Sequence, residues 1–158
     1  MRHLWVAALL LVACGTVPSE PLAPGKTATD VRTTGALTPL PLDIKITSPR
    51  VEIPQDMAAF SGKWVGMWDG QLRTTLVVEE ITPPTAKVIY SWGDNPRSDI
   101  QAGFARYVAK IGHGKLQFGD PEKGITITFT ISKDFDRVEG VYERLRVQSW
   151  ATLQRVKE

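Results

Sequence analysis

The sequence predicts an all-β fold, a small eight-stranded antiparallel barrel, over residues 58–158. Three observations carry this. Ile125, Ile127, Phe129 and Ile131 alternate with Thr126, Thr128 and Thr130, the two-residue period of a strand with one apolar and one hydroxyl-bearing face. Turn residues break such alternation at short intervals, at Pro83-Pro84, Asn95-Pro96, Gly112-His113-Gly114, Asp120-Pro121 and Asp134-Phe135-Asp136. After residue 60 no stretch holds a helical period.

The strands fall in order at 62–68, 74–81, 86–92, 103–111, 115–118, 125–131, 137–145 and 148–156. Connections this short make hairpins, so neighbours pair antiparallel. Closing the sheet removes its exposed edges. Eight strands leave an interior just wide enough for side chains or for one small ligand. A domain of this size has little stability to give up to a void, so a narrow, mostly filled barrel is expected.

Particular residues take their places from this alternation. Trp64 and Trp68 share a face with Gly62 and Gly66, whose missing side chains let neighbouring backbone approach and the strand bend. Both rings read either as core filler or as the wall of a ligand site. Trp92 ends its strand and belongs at a barrel mouth. Trp150 has the opposite parity to Ala151 and Leu153. Glu79 and Glu80 are adjacent and point to opposite faces, so they form no catalytic dyad; one of them is expected inside the barrel beside Arg106 or Arg144, because a buried carboxylate needs a partner. Residues 56–60 (DMAAF) fit one helical turn that plugs an end of the barrel or leads into the first strand.

Upstream the texture changes. Pro18, Pro21, Pro24, Pro39, Pro41, Pro49 and Pro54 punctuate residues 14–57, where Gly, Ser and Thr fill much of the rest. Proline removes a backbone donor and fixes φ, so this stretch reads as an extended, flexible tether. Within it, residues 42–47 (LDIKIT) alternate and offer a second reading, an isolated strand laid on the domain. Before it, Arg2 and His3 precede an apolar run over residues 4–13. A membrane-spanning helix needs roughly 20 residues, so the run fits a signal peptide instead.

Two resemblances follow. Leu11-Val12-Ala13-Cys14 resembles a bacterial lipoprotein signal. The resemblance implies cleavage before Cys14, lipid on its sulfur and amine, and a division into signal peptide (1–13), lipidated tether (14–57) and barrel (58–158). Gly15, rather than Asp, resembles the pattern sorted to the outer membrane, with the domain on the periplasmic side. Each buried methylene of an acyl chain contributes about 0.8 kcal/mol to such an anchor. The second resemblance is to the calycins (lipocalins, fatty-acid-binding proteins and avidins), in Gly62-Lys63-Trp64 and its echo Gly66-Met67-Trp68. It implies a tryptophan packed beneath an arginine of the last strand. Arg155 fills that place for Trp64, through a cation–π contact. Residues 151–156 (ATLQRV) are also similar to the last strand of small secreted bacterial β-domains. The sequence lacks the disulfides and the long entrance loop of typical lipocalins.

Catalytic groups are scarce. The net charge of +2 is too small to argue for nucleic acid. His113 sits between two glycines and reads as an exposed hairpin tip, leaving neither a Ser-His-Asp arrangement nor clustered metal ligands. Asp120, Glu122, Asp134 and Asp136 fall in turns, where carboxylates cap backbone amides. Arg137, Arg144 and Arg146 mix with Glu139 and Glu143 on a solvated face. No catalytic residue, metal or cofactor is assigned. The expected role is a membrane-anchored, non-enzymatic binding or interaction module with an envelope protein as partner. The alternatives are a carrier of a small apolar ligand lined by Trp64, Trp68 and Trp92, or an accessory domain acting on cell-envelope components.

Overall fold

The computed structural model describes residues 38–157. Cys14, the apolar run before it and the tether as far as residue 37 lie outside the described residues. Eight strands follow: β1 (Gly62–Trp68), β2 (Leu72–Thr82), β3 (Thr85–Trp92), β4 (Gly103–Gly112), β5 (Lys115–Asp120), β6 (Ile125–Ile131), β7 (Arg137–Arg144) and β8 (Val147–Arg155). No strand end departs from the alternation read in the sequence by more than two residues. Each strand pairs antiparallel with the next, and β8 returns to β1, from Trp64 opposite Arg155 to Trp68 opposite Ala151, so the sheet closes. A single helical turn, α1 (Gln55–Ala58), precedes the ring. Two 3₁₀ turns after residue 60, at Pro96–Ser98 and Pro121–Lys123, were not expected. Each begins with proline and is capped by a side chain, Asn95 accepting from Arg97 N and Asp120 from Lys123 N.

Side chains fill most of the ring. Trp64, Leu76, Leu116, Phe129 and Leu153 are fully buried, with Phe60 beside them at the end from which the chain enters. Ile53 and Met57 pack on the same cluster, so the α1 segment plugs that end. The β4–β5 ladder has only three partner pairs, Lys110–Gln117, Ile111–Leu116 and Gly112–Lys115. Toward the opposite end the contact between these strands is made by side chains, with the Tyr107 and Phe118 rings 4.9 Å apart.

The outer wall corrects two expectations. Residues 74–79 of β2 and 88–91 of β3 are buried without a break, so both faces of these strands are covered there. The cover is residues 38–47, which the sequence reading had placed in a flexible tether running to residue 57. Thr38 Oγ1 and Thr75 Oγ1 are 2.7 Å apart, and Ser91 Oγ donates to Pro39 O. Lys45 N donates to Glu79 Oε1 (3.1 Å) and Thr47 N to Glu79 O (2.7 Å). Residues 42–47 thus follow the second reading of the sequence: they are an extended strap laid on the domain and hydrogen-bonded to the wall rather than free chain. Glu79 is buried, but on the outer wall and not inside the barrel. A bulge between Val78 and Glu80 adds a residue to β2, so that Val78 and Ile81 both reach the core while Glu79 faces the strap and Glu80, paired with exposed Lys87, also points outward rather than to the opposite face. Its cation is Arg106, 3.4 Å away, which also pairs with Asp43 of the strap; Arg144 takes no part.

Gly66 marks where the ring is tightest. A Cβ there would stand 2.1 Å from the backbone oxygen of Thr152, which the β1–β8 ladder prevents from moving aside. We expect Gly66→Ala to lose at least about 2 kcal/mol of stability, read as a lower urea midpoint. Gly112→Ala, whose Cβ meets only Met57 Cε at 3.9 Å, serves as the tolerant control.

Candidate functional site: the aromatic mouth

β1, β3, β5 and β7 end where β2, β4, β6 and β8 begin, at the end opposite the α1 plug. Inward side chains at this end surround a cavity of about 400 Å³ that opens to solvent. That volume lies within the roughly 300–1,000 Å³ of small-molecule sites. Its lining is mostly aromatic and aliphatic (Trp68, Tyr90, Trp92, Tyr107, Tyr142 and Ile127 among others), with Asp120, Lys123 and Ser149 as the polar remainder.

The floor is Trp68. Its ring tilts against Phe129 at 5.9 Å and stands edge-on to Tyr142 at 6.2 Å. Its Nε1 donates to Tyr90 Oη at 2.7 Å. Tyr90 in turn packs on Phe118 (5.6 Å) and Trp92 (5.8 Å). Burial pushes the Tyr90 hydroxyl up to about 12, so it remains protonated across the physiological range. Trp92 forms a wall. Its Nε1 donates to Gln101 O at 2.9 Å, and its ring covers Gly103, where a Cβ would come within 2.9 Å of Cζ2. The connecting loop is braced by a bridge between Asn95 and Ile100 and by Ala102 N donating to Asp94 Oδ1 at 2.6 Å. At the rim Lys123 Nζ lies 3.0 Å from Asp120 Oδ2. That hydrogen bond holds the Asp120 carboxyl below its ordinary range, while burial and the nearby Asp120 raise Tyr107.

Trp64 lies elsewhere. It is fully buried beside the plug and its Nε1 donates to Phe60 O at 2.8 Å. Arg155 Cζ sits 4.2 Å from the centroid of that ring. Its Nη1 donates to Ser61 O at 2.8 Å and its Nη2 to Ala59 O. Burial lowers the Arg155 pKa from its usual value. Of the three tryptophans named from the sequence, Trp68 and Trp92 therefore line the cavity and Trp64 belongs to the plug. His113 is an exposed hairpin tip with positive φ. Among the described residues no three His, Cys, Asp or Glu side chains gather closely enough to hold a metal ion.

The sequence reading missed Tyr90, Tyr107 and Tyr142. Their signal was parity: each lies an even number of residues from an inward neighbour, Tyr90 from Val88, Tyr107 from Ala109 and Tyr142 from Gly140, at the strand end that faces the mouth.

The ring, its plug and its open mouth define a closed eight-stranded antiparallel β-barrel with a generically calycin-like topology. Among solved structures the chain is similar to a redesigned β-barrel, with a TM-score of 0.51 and 13% identity over 66% of this chain and 98% of that one. A de novo designed fluorescence-activating β-barrel overlaps 66% of this chain and 100% of its own, at 16% identity and a TM-score of 0.47. No protein-family model matches the chain, and no curated protein does. At 13% identity the likeness to the redesigned barrel speaks for the fold alone.

The Tyr90–Trp68 contact has a measurable consequence. An unfolded chain releases a tyrosine proton at the ordinary value of 10.0, whereas the folded chain releases that of Tyr90 only at about 12. Between these values ionisation favours the unfolded state. Stability held below pH 10 should therefore fall by about 2 kcal/mol as pH rises to 12. Urea unfolding across this window should show the loss, and Tyr90→Phe should abolish its contribution.

Proposed function

We propose that this barrel binds a small apolar ligand in its mouth and acts as a carrier or receptor module without catalysing a reaction. One observation supports the reading above the others: a ring otherwise filled by side chains keeps a cavity of about 400 Å³ at one end, and lines it with aromatic rings. A small domain leaves such a space open at a loss in packing, because each unfilled volume forfeits dispersion contacts. The lining residues are held by hydrogen bonds and by Gly103 rather than collapsed into the space.

Tryptophan fluorescence tests this directly. Titration with N-phenyl-1-naphthylamine should quench the emission of Trp68 and Trp92 saturably. Trp92→Leu should weaken the binding about ten-fold, the scale of one lost aromatic contact of about 1.4 kcal/mol. An emission spectrum unmoved by the probe, with the barrel folded by circular dichroism, would sink the reading.

A second reading, contact with an envelope protein, draws on the outer β1–β8 wall, where Met67 and Trp150 are exposed side by side. For location we propose lipid attachment at Cys14, on the strength of the apolar run and the Leu11-Val12-Ala13-Cys14 sequence. Expressed in a bacterium with an outer membrane, the chain should partition with membranes and accumulate as precursor under globomycin. Cys14→Ser should lose both behaviours. Equal membrane recovery of the variant would remove the anchor and leave the barrel's role intact.

A further inference from the structure

We propose that the mouth selects an uncharged, flat aromatic ligand carrying a hydrogen-bonding group, such as a ketone or an amide, and discriminates against the matching carboxylate. This rests on the ligand-binding reading above and names the class of ligand.

Shape comes first. The lining rings are tilted to one another: Tyr90 and Trp92 by 33°, and Trp68 and Tyr142 by 71°. Faces and edges of several rings thus meet one small space, which suits a planar guest able to stack on one ring and abut another. A flexible alkyl chain would gain less from such walls and would need a longer channel than the filled core beneath Trp68 allows.

Charge decides the rest. A carboxylate entering the cavity loses its water and must find a cation or several N–H donors. The cations close to the interior are committed. Arg155 stands at the far end, stacked on Trp64 and donating to Ser61 O and Ala59 O. Arg106 lies on the outer wall with Glu79 and Asp43. Lys123 reaches the rim already paired with Asp120, and that carboxylate faces the same cavity and repels a second one. Arg144 stands opposite Ile125 at the end of β7, exposed and outside the cavity lining, where water screens it.

The floor suits a neutral acceptor. Tyr90 Oη accepts from Trp68 Nε1 and lies beside Thr74, whose hydroxyl donates to Ser91 O. The Tyr90 proton can therefore turn to Thr74 Oγ1 or to a carbonyl of the guest. The same burial that keeps this hydroxyl protonated opposes an anion placed next to it.

Two nearly isosteric probes separate the possibilities. 2-Acetylnaphthalene and 2-naphthoate should be titrated against the full chain at neutral pH, by calorimetry and by tryptophan quenching. The ketone should bind at least ten-fold more tightly. Arg144→Gln should leave that ratio unchanged, and Ser149→Lys, which brings a cation to the cavity wall, should reduce it at least five-fold. Equal or tighter binding of naphthoate by the unaltered chain overturns the proposed selectivity while sparing the site. A ratio that depends on Arg144 places the discrimination at the rim and overturns it as well. If neither probe binds, the ligand-binding reading itself fails.

Discussion

The guanidinium of Arg155 over the Trp64 ring is the contact on which the two ends of this barrel come to differ. β8 places Arg155 opposite Trp64 in the ladder, and the side chain then reaches the carbonyls of Ser61 and Ala59. One residue of the last strand thereby fastens the segment that enters the first. A half-buried cation would be costly alone, and the lost hydration lowers the Arg155 pKa. Two carbonyl acceptors and an aromatic face replace the water it loses. A lysine offers one compact ammonium and no planar fork to span both carbonyls while stacking. With the chain fixed there, Phe60 and α1 close the entrance, and the remaining space lies at the opposite end.

The strap makes the same kind of connection on the outside. β2 and β3 present Val77 and Ile89 on their outer faces, and both are fully buried. An outward valine and isoleucine in a two-sided sheet are ordinarily left to solvent or paired with another chain. Here the chain's own upstream residues cover them, pinned at Thr75, Ser91 and Glu79. Glu79 shares the outward parity of Val77, which brings its carboxylate to the place where the Lys45 amide and Arg106 meet it, and the bulge that follows returns Ile81 to the core. Proline-rich sequence and fixed position are compatible, because prolines exclude ladder pairing without excluding single hydrogen bonds from their neighbours.

The strands were legible because their signal is local. Alternation in Ile125–Ile131 and the glycine, proline and aspartate punctuation mark each hairpin, and a closed ring follows once every neighbour pairs antiparallel. The Trp64–Arg155 contact was legible only through the calycin resemblance, since nothing in the spacing joins the first strand to the last. The strap was legible only in part: residues 42–47 alternate, which offered an extended segment laid on the domain. Leu76-Val77-Val78 and Val88-Ile89 broke the alternation, which is the mark of strands covered on both faces, but the cover lies some 35 residues upstream and nothing in the spacing joins the two. The outward position of Glu79 follows from its parity with Val77, whereas that of Glu80 was hidden, because a bulge inverts parity and leaves no residue-type signature here. Trp92 was placed at the mouth from its position at a strand end. The tyrosines beside it escaped notice because a tyrosine on a strand is favoured by propensity alone.

The same contacts serve both stability and the site, and this limits how each can vary. Trp68 is at once core, against Phe129, and the floor of the cavity. Its indole donates to Tyr90, so enlarging the cavity by removing either ring leaves a buried polar group without a partner, a loss of roughly 1–3 kcal/mol beyond the packing. Filling the cavity instead would press against Gly103 and Trp92, whose close approach leaves no slack. The narrowness imposed by eight strands therefore leaves substitutions at the rim, at Ile125, Ser149 and Lys123, as the positions where the choice of guest can change without disturbing the ring. A barrel of this size can keep a site at all only because one end is sealed by residues from outside the ring, which lets the interior behind Trp68 be packed as core.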